Sequence, residues 1–506
     1  MKITTYLFVL FNLLSNFAFS QSVDDVFLQK NMHKDLAVFK EIRLKANSGL
    51  YKYRTKAQID SIYKWADSEV DKSSSYLDFY NIICKLTDFE GSVHNDTSIP
   101  DKIWQNLRKE TTGYFPLPLK WINGKWLINF ENSEIPLGSE IITINGVSMA
   151  DIMFNLEKYS TTDGSNKTGK RINTEPHFAR QYRLHYGLKD NFEIKYKLAA
   201  NEFIKIKTVR GISYVKYYNN FNSRYSKIYD NPVYKDFSAD EKYEYEGIDS
   251  ITSILTVNSF DIGKDGKAPE HLKFVAFLDS VFIKIKEQQV QNLIVDIRHN
   301  GGGTDPNELV IYEYLTQRNF SENRSAWISF QKVSFIRYVE TKVPSFLRFL
   351  GVIKYNKYFK NEFPIEKGGR FYQGSLSEDH LIRQPNKNAF VGNIYLLISP
   401  EVASAGSNFG SLLASNKNTI VIGEETAGGY HGHNGHTPIT YILPKSKILT
   451  TFSVVNLEQY VLEKDNQIFG RGIIPDYDVS QTYEDYLKHE DTQMKFLLEF
   501  IKNTSE

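Results

Sequence analysis

The chain has 506 residues, and its 61 Lys and Arg residues against 60 Asp and Glu give a formal net charge of +1. A chain this balanced has no overall attraction to nucleic acid or to an anionic membrane, so neither is expected as a partner. The single cysteine, Cys84, excludes an intrachain disulfide framework and a cysteine-rich zinc or iron–sulfur site. The length predicts roughly two to four domains.

The first residues have the pattern of a secretory signal. Lys2 gives a positive start, residues 6–14 form a short apolar run, and Ala18-Phe19-Ser20 is a small-x-small cleavage pattern before Gln21. This predicts a cleaved signal peptide over residues 1–20 and a secreted or periplasmic protein, with no integral membrane segment after cleavage. The alternative is an uncleaved membrane anchor.

The next segment, residues 21–114, is predicted to be a helical domain. Residues 57–65 and 76–83 space their apolar side chains three and four apart, which is the period of an amphipathic helix. The helical pattern ends in a polar turn, residues 88–97, that contains His94.

Residues 115–205 change to a strand-like pattern. Residues 126–130 predict a short strand, Asn145-Gly146 between apolar runs predicts a tight turn, and residues 149–158 predict a short helix. We therefore expect a β-rich module here.

In residues 206–480 buried strands alternate with helices, which predicts an α/β layered core. Strands are expected at 293–297, 393–399 and 419–422, with an amphipathic helix at 272–288. A further helix is predicted to start with Asp305 as its N-cap and Glu308 completing a capping box. Residues 481–506 are expected to add a C-terminal helix.

An irregular insertion is predicted within the core at about residues 318–387. Within it, residues 344–360 mix large apolar side chains with four cations, Arg348, Lys354, Lys357 and Lys360. A helix that packs on the core is the favoured interpretation, and a substrate lid or a membrane-surface contact is the alternative.

Ser404 is the first candidate for chemistry. It lies between a predicted strand and a predicted helix, and its neighbours Ala403, Ala405 and Gly406 are small enough to allow a sharp turn. The N-terminus of a helix also directs free amides at developing negative charge. Serine is equally a common N-cap, so an ordinary helix cap is the alternative.

A glycine turn, Asn300 followed by three glycines, is the second candidate. Such a turn exposes backbone amides and can supply one donor of an oxyanion hole. No Gly-Lys-Ser/Thr follows, so a nucleotide-binding P-loop is excluded.

Histidines are the third candidate, because a serine nucleophile needs a base within hydrogen-bond reach. His94 lies in its polar turn, and His299 is interpreted as a loop residue. His431, His433 and His436 have a spacing that could hold a metal, although no carboxylate or cysteine completes the set.

Several short motifs, taken together and in this order, resemble the S41 serine peptidases, the tail-specific and tricorn-type family. The segments that carry the resemblance are 91–94 (family DGHT), 138–146 (a PDZ-like GxxIxxING), 293–303 (DxRxNGGG), 403–407 (the nucleophile segment), 423–428 (GExTxG), 443–446 (LPNS) and 470–476 (GxGxxPD). The resemblance covers roughly residues 87–479.

The resemblance implies a crotonase/ClpP-like α/β core, a PDZ-like module and a helical N-terminal part. It also implies Ser404 as nucleophile, with an oxyanion hole formed by the amides of Ala405 and of Gly301 or Gly302. No cofactor is expected.

Two positions depart from the family pattern. Gly429 stands where processing-type members carry a catalytic Lys, and Ser407 stands where many members carry Glu. A Ser–Lys dyad is therefore not expected, and His94 is assigned as the base. Glu458 and Glu463 are candidates for a third catalytic residue only by their distance along the chain.

The sequence thus predicts a serine endopeptidase acting on peptides or unfolded protein segments, with the oligomeric state left open. The first alternative is a catalytically inactive S41-like protein that binds peptides or apolar ligands. The second is a metal-dependent hydrolase built on His431, His433 and His436.

Overall fold

The computed structural model describes residues 22–131, 134–198, 203–225, 237–344, 347–377 and 380–504. The predicted signal peptide, residues 1–20, lies outside these ranges. Within them, no helix is both long enough and apolar enough to cross a membrane.

The N-terminal part is built from helices, as predicted. Its elements are α1 (Gln29–Ala46), α2 (Lys56–Val70), α3 (Tyr76–Phe89), β1 (Asp96–Ser98) and α4 (Asp101–Arg108). The helices predicted at 57–65 and 76–83 are confirmed as α2 and α3, and Thr55 and Ser75 start them with capping boxes. Their apolar faces share one core with Leu443 and Ile448, from the other end of the chain.

The β-rich module follows as an antiparallel sheet with helices packed against it. Its elements are β2 (Leu119–Ile122), β3 (Lys125–Ile128), β4 (Glu140–Ile144), β5 (Val147–Ser148), α5 (Met149–Leu156), α6 (Thr168–Tyr186), β6 (Asn191–Lys197), β7 (Ile204–Arg210) and α7 (Tyr214–Tyr225). The strand order is β2-β3-β4-β6-β7, with β5 beside β4. The Asn145-Gly146 turn is confirmed, because both residues have the positive φ that a tight hairpin requires, 50° and 78°.

The core combines a mostly parallel sheet with a second sheet, which is antiparallel and has strands of different lengths. Its elements are β8 (Tyr243–Gly247), β9 (Thr252–Val257), α8 (Pro269–Glu287), β10 (Asn292–Asp296), α9 (Asn307–Glu313), β11 (Asn323–Ile328), α10 (Arg348–Glu362), β12 (Ile365–Lys367), β13 (Arg370–Tyr372), β14 (Asn393–Ile398), α11 (Ala405–Ala414), β15 (Thr419–Gly423), β16 (Asn434–Ile442), β17 (Leu449–Gln459), β18 (Tyr477–Asp478), α12 (Tyr483–Lys488) and α13 (Thr492–Thr504).

The parallel sheet positions the candidate site. Its order is β18-β15-β14-β10-β9-β8, and only the edge strand β8 is antiparallel to its neighbour. Because β10 and β14 are parallel neighbours, their carboxyl ends lie side by side, and these ends lead into the glycine turn and into Ser404. The predicted α/β core with a β-rich module is confirmed.

The second sheet joins the insertion and the N-terminal part to the core. Its order is β1-β17-β11-β13-β12, with β16 also paired to β17. The insertion forms the helix α10, which buries Val352 and Phe359 against this sheet's core. The favoured interpretation of residues 344–360 as a packed helix is thus confirmed for α10.

The prediction for residues 305–308 is wrong in detail. The helix α9 begins at Asn307, with Pro306 at the N-cap and no side-chain cap. Glu308 points into the interior instead of returning to the Asp305 amide, and burial together with the nearby Asp305 raises its pKa well above the usual range. A buried acid cannot complete a capping box.

Candidate active site

Ser404 connects β14 to α11 in a strained backbone conformation. Its φ of 51° and ψ of −130° lie where residues other than glycine are rare, and its side chain makes no capping hydrogen bond. The interpretation as an ordinary N-cap is therefore wrong. The hydroxyl is left available for other partners.

Gly302 lies directly behind Ser404. It has φ of 109°, and a Cβ placed on it would lie 2.7 Å from the Ser404 Cβ and 3.1 Å from the Ala405 nitrogen. Only glycine allows the turn and the nucleophile loop to approach this closely. Gly301 is different, since a Cβ there would meet nothing closer than the Glu401 carbonyl at 3.9 Å.

His94 reaches Ser404 from the opposite side, although 310 residues separate them in the chain. Its Nε2 lies 3.3 Å from the Ser404 Oγ. Burial, together with the neighbouring His436, lowers the pKa of His94 to about 4. At neutral pH the imidazole is uncharged, which is the form that can accept the proton of the serine hydroxyl.

The other nitrogen of His94 faces backbone rather than a carboxylate. The nearby Asn434 backbone favours the charged form of His94, against the larger effect of burial. Nδ1 is buried, and no described side chain bonds to it. The ring of His433 packs on His94 with 4.9 Å between centroids. The ring is therefore held by packing on His433 and by the contact of Nε2 with Ser404.

Glu458 and Glu463, the two candidates for a third catalytic residue, have other partners. Glu458 pairs with Arg324 at 3.2 Å on the surface, and Glu463 lies 3.5 Å from His431. Neither carboxylate meets His94.

The amides proposed for the oxyanion hole differ in their availability. The Ala405 amide donates to no acceptor in the described part of the chain. The Gly302 amide donates to the Asn300 side-chain oxygen at 3.0 Å, and the Gly301 amide donates to the His299 carbonyl at 3.2 Å. Ala405 therefore offers a free donor, and the glycine turn offers donors that are already engaged.

Ser407 and Gly428 explain locally why the family's Glu is absent. The Ser407 hydroxyl donates to the Ser404 carbonyl at 2.8 Å. A Cβ on Gly428 would lie 2.1 Å from the same hydroxyl, so the space around Ser407 is already filled. A larger residue at 407 would displace the loop of Gly428.

The three loop histidines do not form a metal site. His431 approaches Glu463, His433 is buried against His94, and His436 lies 3.8 Å from the buried Glu322. Among the described residues no cluster of three or more potential ligands is suited to hold a metal ion. The metal-site hypothesis for this loop is wrong because its side chains point to different partners.

A cavity of about 590 Å³ opens beside Ser404. Ala403, Gly301 and Gly302 line it next to Ser404, and Val93 lines it next to His94. Charges of both signs are present on its walls, including Lys242, Asp261 and Glu401. The cavity can thus take a polar chain and bring it to the serine.

Comparison with known proteins supports the resemblance seen in the motifs. Residues 252–479 match the model of peptidase family S41. This matched part of the chain is an S41 peptidase domain. S41 enzymes are serine-type peptidases, so the prediction of a serine-type hydrolase is confirmed.

Solved structures of mature CPAF share the fold of this chain over nearly its whole length. CPAF complexed with lactacystin is 14% identical, with a TM-score of 0.58, covering 94% of this chain and 98% of that one. A second crystal structure of mature CPAF is 13% identical, with a TM-score of 0.55, covering 93% of this chain and 96% of that one. No curated protein matches the chain.

The GExTxG and GxGxxPD segments are joined by hydrogen bonds. Glu425, in GExTxG, accepts hydrogen bonds from the Arg471 Nε at 2.7 Å and from the Gly472 amide at 2.9 Å, both in GxGxxPD. Thr426 accepts from the Ile473 amide at 2.8 Å. These motifs shape the loop that leads to Gly429, and they contribute no group to Ser404.

Some residues near His94 carried no recognisable sequence signal. Asp163 and Thr161 bind the backbone on either side of His94, and Glu90 holds the Asn95 side chain at 2.8 Å. Residues 161–166 read only as a polar turn before a helix, because a carboxylate that binds backbone amides leaves no motif of its own.

Proposed function

We propose that this S41 chain is a secreted or periplasmic serine endopeptidase that cleaves peptides or unfolded protein segments. Ser404 is the nucleophile, and His94 takes its proton and later returns it to the leaving amine. The observation that carries the proposal is the 3.3 Å contact between the His94 Nε2 and the Ser404 Oγ, made by an imidazole that is uncharged at neutral pH.

The oxyanion that forms on the attacked carbonyl needs donors in place. The Ala405 amide, at the first residue of α11, supplies one. Gly301 or Gly302 supplies the second after substrate displaces a weak internal hydrogen bond. The 3.2 Å bond from the Gly301 amide to the His299 carbonyl spans only three residues, so Gly301 is the donor that is easier to release.

The cavity supports a substrate of extended polypeptide. Its walls combine apolar residues such as Ile172 and Phe237 with ionisable residues of both signs. Such a lining selects weakly among side chains, which suits varied peptide sequences. The β-rich module, PDZ-like in its motif, lies between the helical part and the core in the chain and is proposed as the substrate module.

A serine-directed fluorophosphonate probe tests the chemistry. We expect labelling of the wild type at Ser404, none in Ser404→Ala, and at least about 100-fold slower labelling in His94→Ala. His33→Ala, a surface histidine that pairs with Asp71, is the matched control and should label like the wild type. A folded wild type that resists the probe overturns the proposal.

A catalytically inactive binding protein is the second candidate. The observation that favours it is that both glycine amides are internally bonded. Under this alternative the folded wild type binds an unfolded polypeptide without cleaving it, and Ser404→Ala leaves that binding unchanged.

The location is tested separately. We propose cleavage before Gln21, so the intact mass and the N-terminal sequence of protein recovered from outside the cytoplasm should begin at that residue. A mature protein that retains residues 1–20 would contradict this part of the proposal.

A further inference from the structure

The loop that carries His94 is held on its outer side by one segment of the β-rich module. This segment, residues 161–164, lies outside the helices and strands and hydrogen-bonds to backbone groups of Gly91, Val93 and Asn95. The Gly164 amide donates to the Gly91 carbonyl at 2.9 Å, and the Thr161 hydroxyl donates to the Asn95 carbonyl at 2.6 Å.

Asp163 is the centre of this contact. One carboxylate oxygen accepts the Val93 amide at 3.0 Å, next to His94, and the other accepts the Gly429 amide at 3.1 Å. The side chain is fully buried. A carboxylate that accepts two backbone amides fixes the distance between the two loops that carry them.

The buried charge of Asp163 has a counter-charge. Burial raises the pKa of Asp163, while the two amides and Lys52 lower it. Lys52 itself donates to the His433 carbonyl at 3.0 Å and to the Leu457 carbonyl, so it holds the strand pair next to His94. Burial has the largest effect, so the pKa of Asp163 is raised to about 6, and the two amides and Lys52 offset that rise only in part.

The contact between Asp163 and Gly429 lies at a position where this chain departs from the S41 pattern. In processing-type S41 sequences a lysine stands there, whereas in this chain the residue has no side chain and gives its amide to Asp163. A Cβ at 429 would lie 3.7 Å from the Asp163 Cβ and 3.2 Å from the Gly432 carbonyl. A side chain at 429 would therefore lie against the Gly432 carbonyl and close to Asp163.

The geometry points to Asp163 as the positioning residue for His94, acting through the Val93 and Gly429 amides in place of a carboxylate on the imidazole itself. Thr161 supports it from the Asn95 side. This inference rests on the proposed function, since it assigns the support of the proposed base. It also makes the β-rich module a structural part of the catalytic site.

A double-mutant cycle with His94 tests the role. We expect Asp163→Ala to lower the maximal rate of fluorophosphonate labelling at Ser404 about 100-fold, with the probe's apparent affinity unchanged, because the base is misplaced. In the His94→Ala background the same substitution should change the slow residual rate less than about twofold. A merely structural role would lower both rates by the same factor.

Matched variants keep the test independent of folding. Thr161→Val removes the hydroxyl that binds the Asn95 carbonyl and should slow labelling, while Thr161→Ser keeps the hydroxyl and should restore it. Asp151→Ala, an exposed acid of the same module that bonds to Ser148, should leave labelling unchanged. Urea unfolding of each variant shows that the compared proteins are folded.

The outcomes distinguish failure of the positioning role of Asp163 from failure of the proposed peptidase function. Wild type that is not labelled defeats the proposed function. Two results would overturn the positioning role alone, provided that labelling depends on His94. The first is an equal loss of rate from Asp163→Ala in both backgrounds. The second is a Thr161→Val variant that labels like the wild type.

Discussion

At Ser404 the backbone and the side chain are held by different neighbours. The backbone conformation depends on Gly302, whose lack of a Cβ makes room for the Ser404 Cβ and for the free Ala405 amide. The side chain depends on His94, which comes from the other end of the chain. Positive φ at a non-glycine residue costs about 1–3 kcal/mol, and it persists here because these contacts fix the turn.

Gly302→Ala should abolish labelling of Ser404, and Gly301→Ala should not. An alanine Cβ at 302 would overlap the nucleophile, whereas at 301 it would enter open space, with its nearest neighbour 3.9 Å away. We expect at least about a 100-fold loss of labelling rate for Gly302→Ala and less than about tenfold for Gly301→Ala. Equal losses in the two variants would show that steric contact with Ser404 is not the cause.

The pH at which activity is lost on acidification should lie well below the pKa of an ordinary histidine. Because burial lowers the pKa of His94 to about 4, the base stays uncharged at pH values where an exposed imidazole, with a pKa near 6.5, is already protonated. The labelling rate should therefore remain high at pH 6 and fall towards pH 4. His436 and His433 are the titratable neighbours of His94. A rate that halves near pH 6.5 would contradict the assignment.

At the scale of elements, the site is an edge where two neighbouring parallel strands end. The sequence predicted these strands, β10 and β14, and the turns after them, because buried apolar runs followed by small residues have few other interpretations. The sequence did not predict the orientation of His94 or the role of Asp163. Their partners are backbone groups on distant loops, and a backbone amide has no residue-specific signature.

Glu425→Gln should destabilise the loop that joins β15 to Gly429. The carboxylate receives the Arg471 guanidinium and the Gly472 amide, and an amide side chain would lose the ionic part of both contacts. We expect a loss of about 2 kcal/mol in the free energy of unfolding, measured by urea denaturation. Glu463→Gln, an acid that is 77% exposed, is the control and should change stability by less than about 0.5 kcal/mol.

At the scale of the whole molecule, a buried ion pair of the helical part also reaches the core through a hydrogen bond from its arginine. Arg43 in α1 lies 3.1 Å from Glu90 and donates to Thr450 in β17 at 2.8 Å, and both charged side chains are almost fully buried. Glu90 in turn accepts from Asn95, beside His94. Burial raises the pKa of Glu90 to about 7, so its charge depends on the partner.

Arg43→Leu should therefore cost stability, and more so at high pH. Removing one partner of a buried pair typically costs about 3–5 kcal/mol, because the other charge is left uncompensated. Without Arg43, Glu90 keeps in the folded state a proton that the unfolded chain has already lost, so stability falls as pH rises above about 4.5. Urea unfolding at pH 5 and pH 8 measures the difference.

The double variant Arg43→Leu with Glu90→Leu is the control for that prediction. It leaves no buried charge, so it should recover much of the lost stability and should lose the pH dependence. A single variant as stable as the wild type at pH 8 would show that the pair contributes nothing.

The contact between residues 94 and 404 has a consequence for the order in which the chain matures. The groups that set it come from the helical part, the module and the far strands, and the two side chains are 310 residues apart. Closing so long a loop is entropically costly, so it follows the formation of local structure. Under the proposed mechanism, the contact that makes Ser404 reactive forms last, when the unfolded segments of the chain itself are no longer exposed to it.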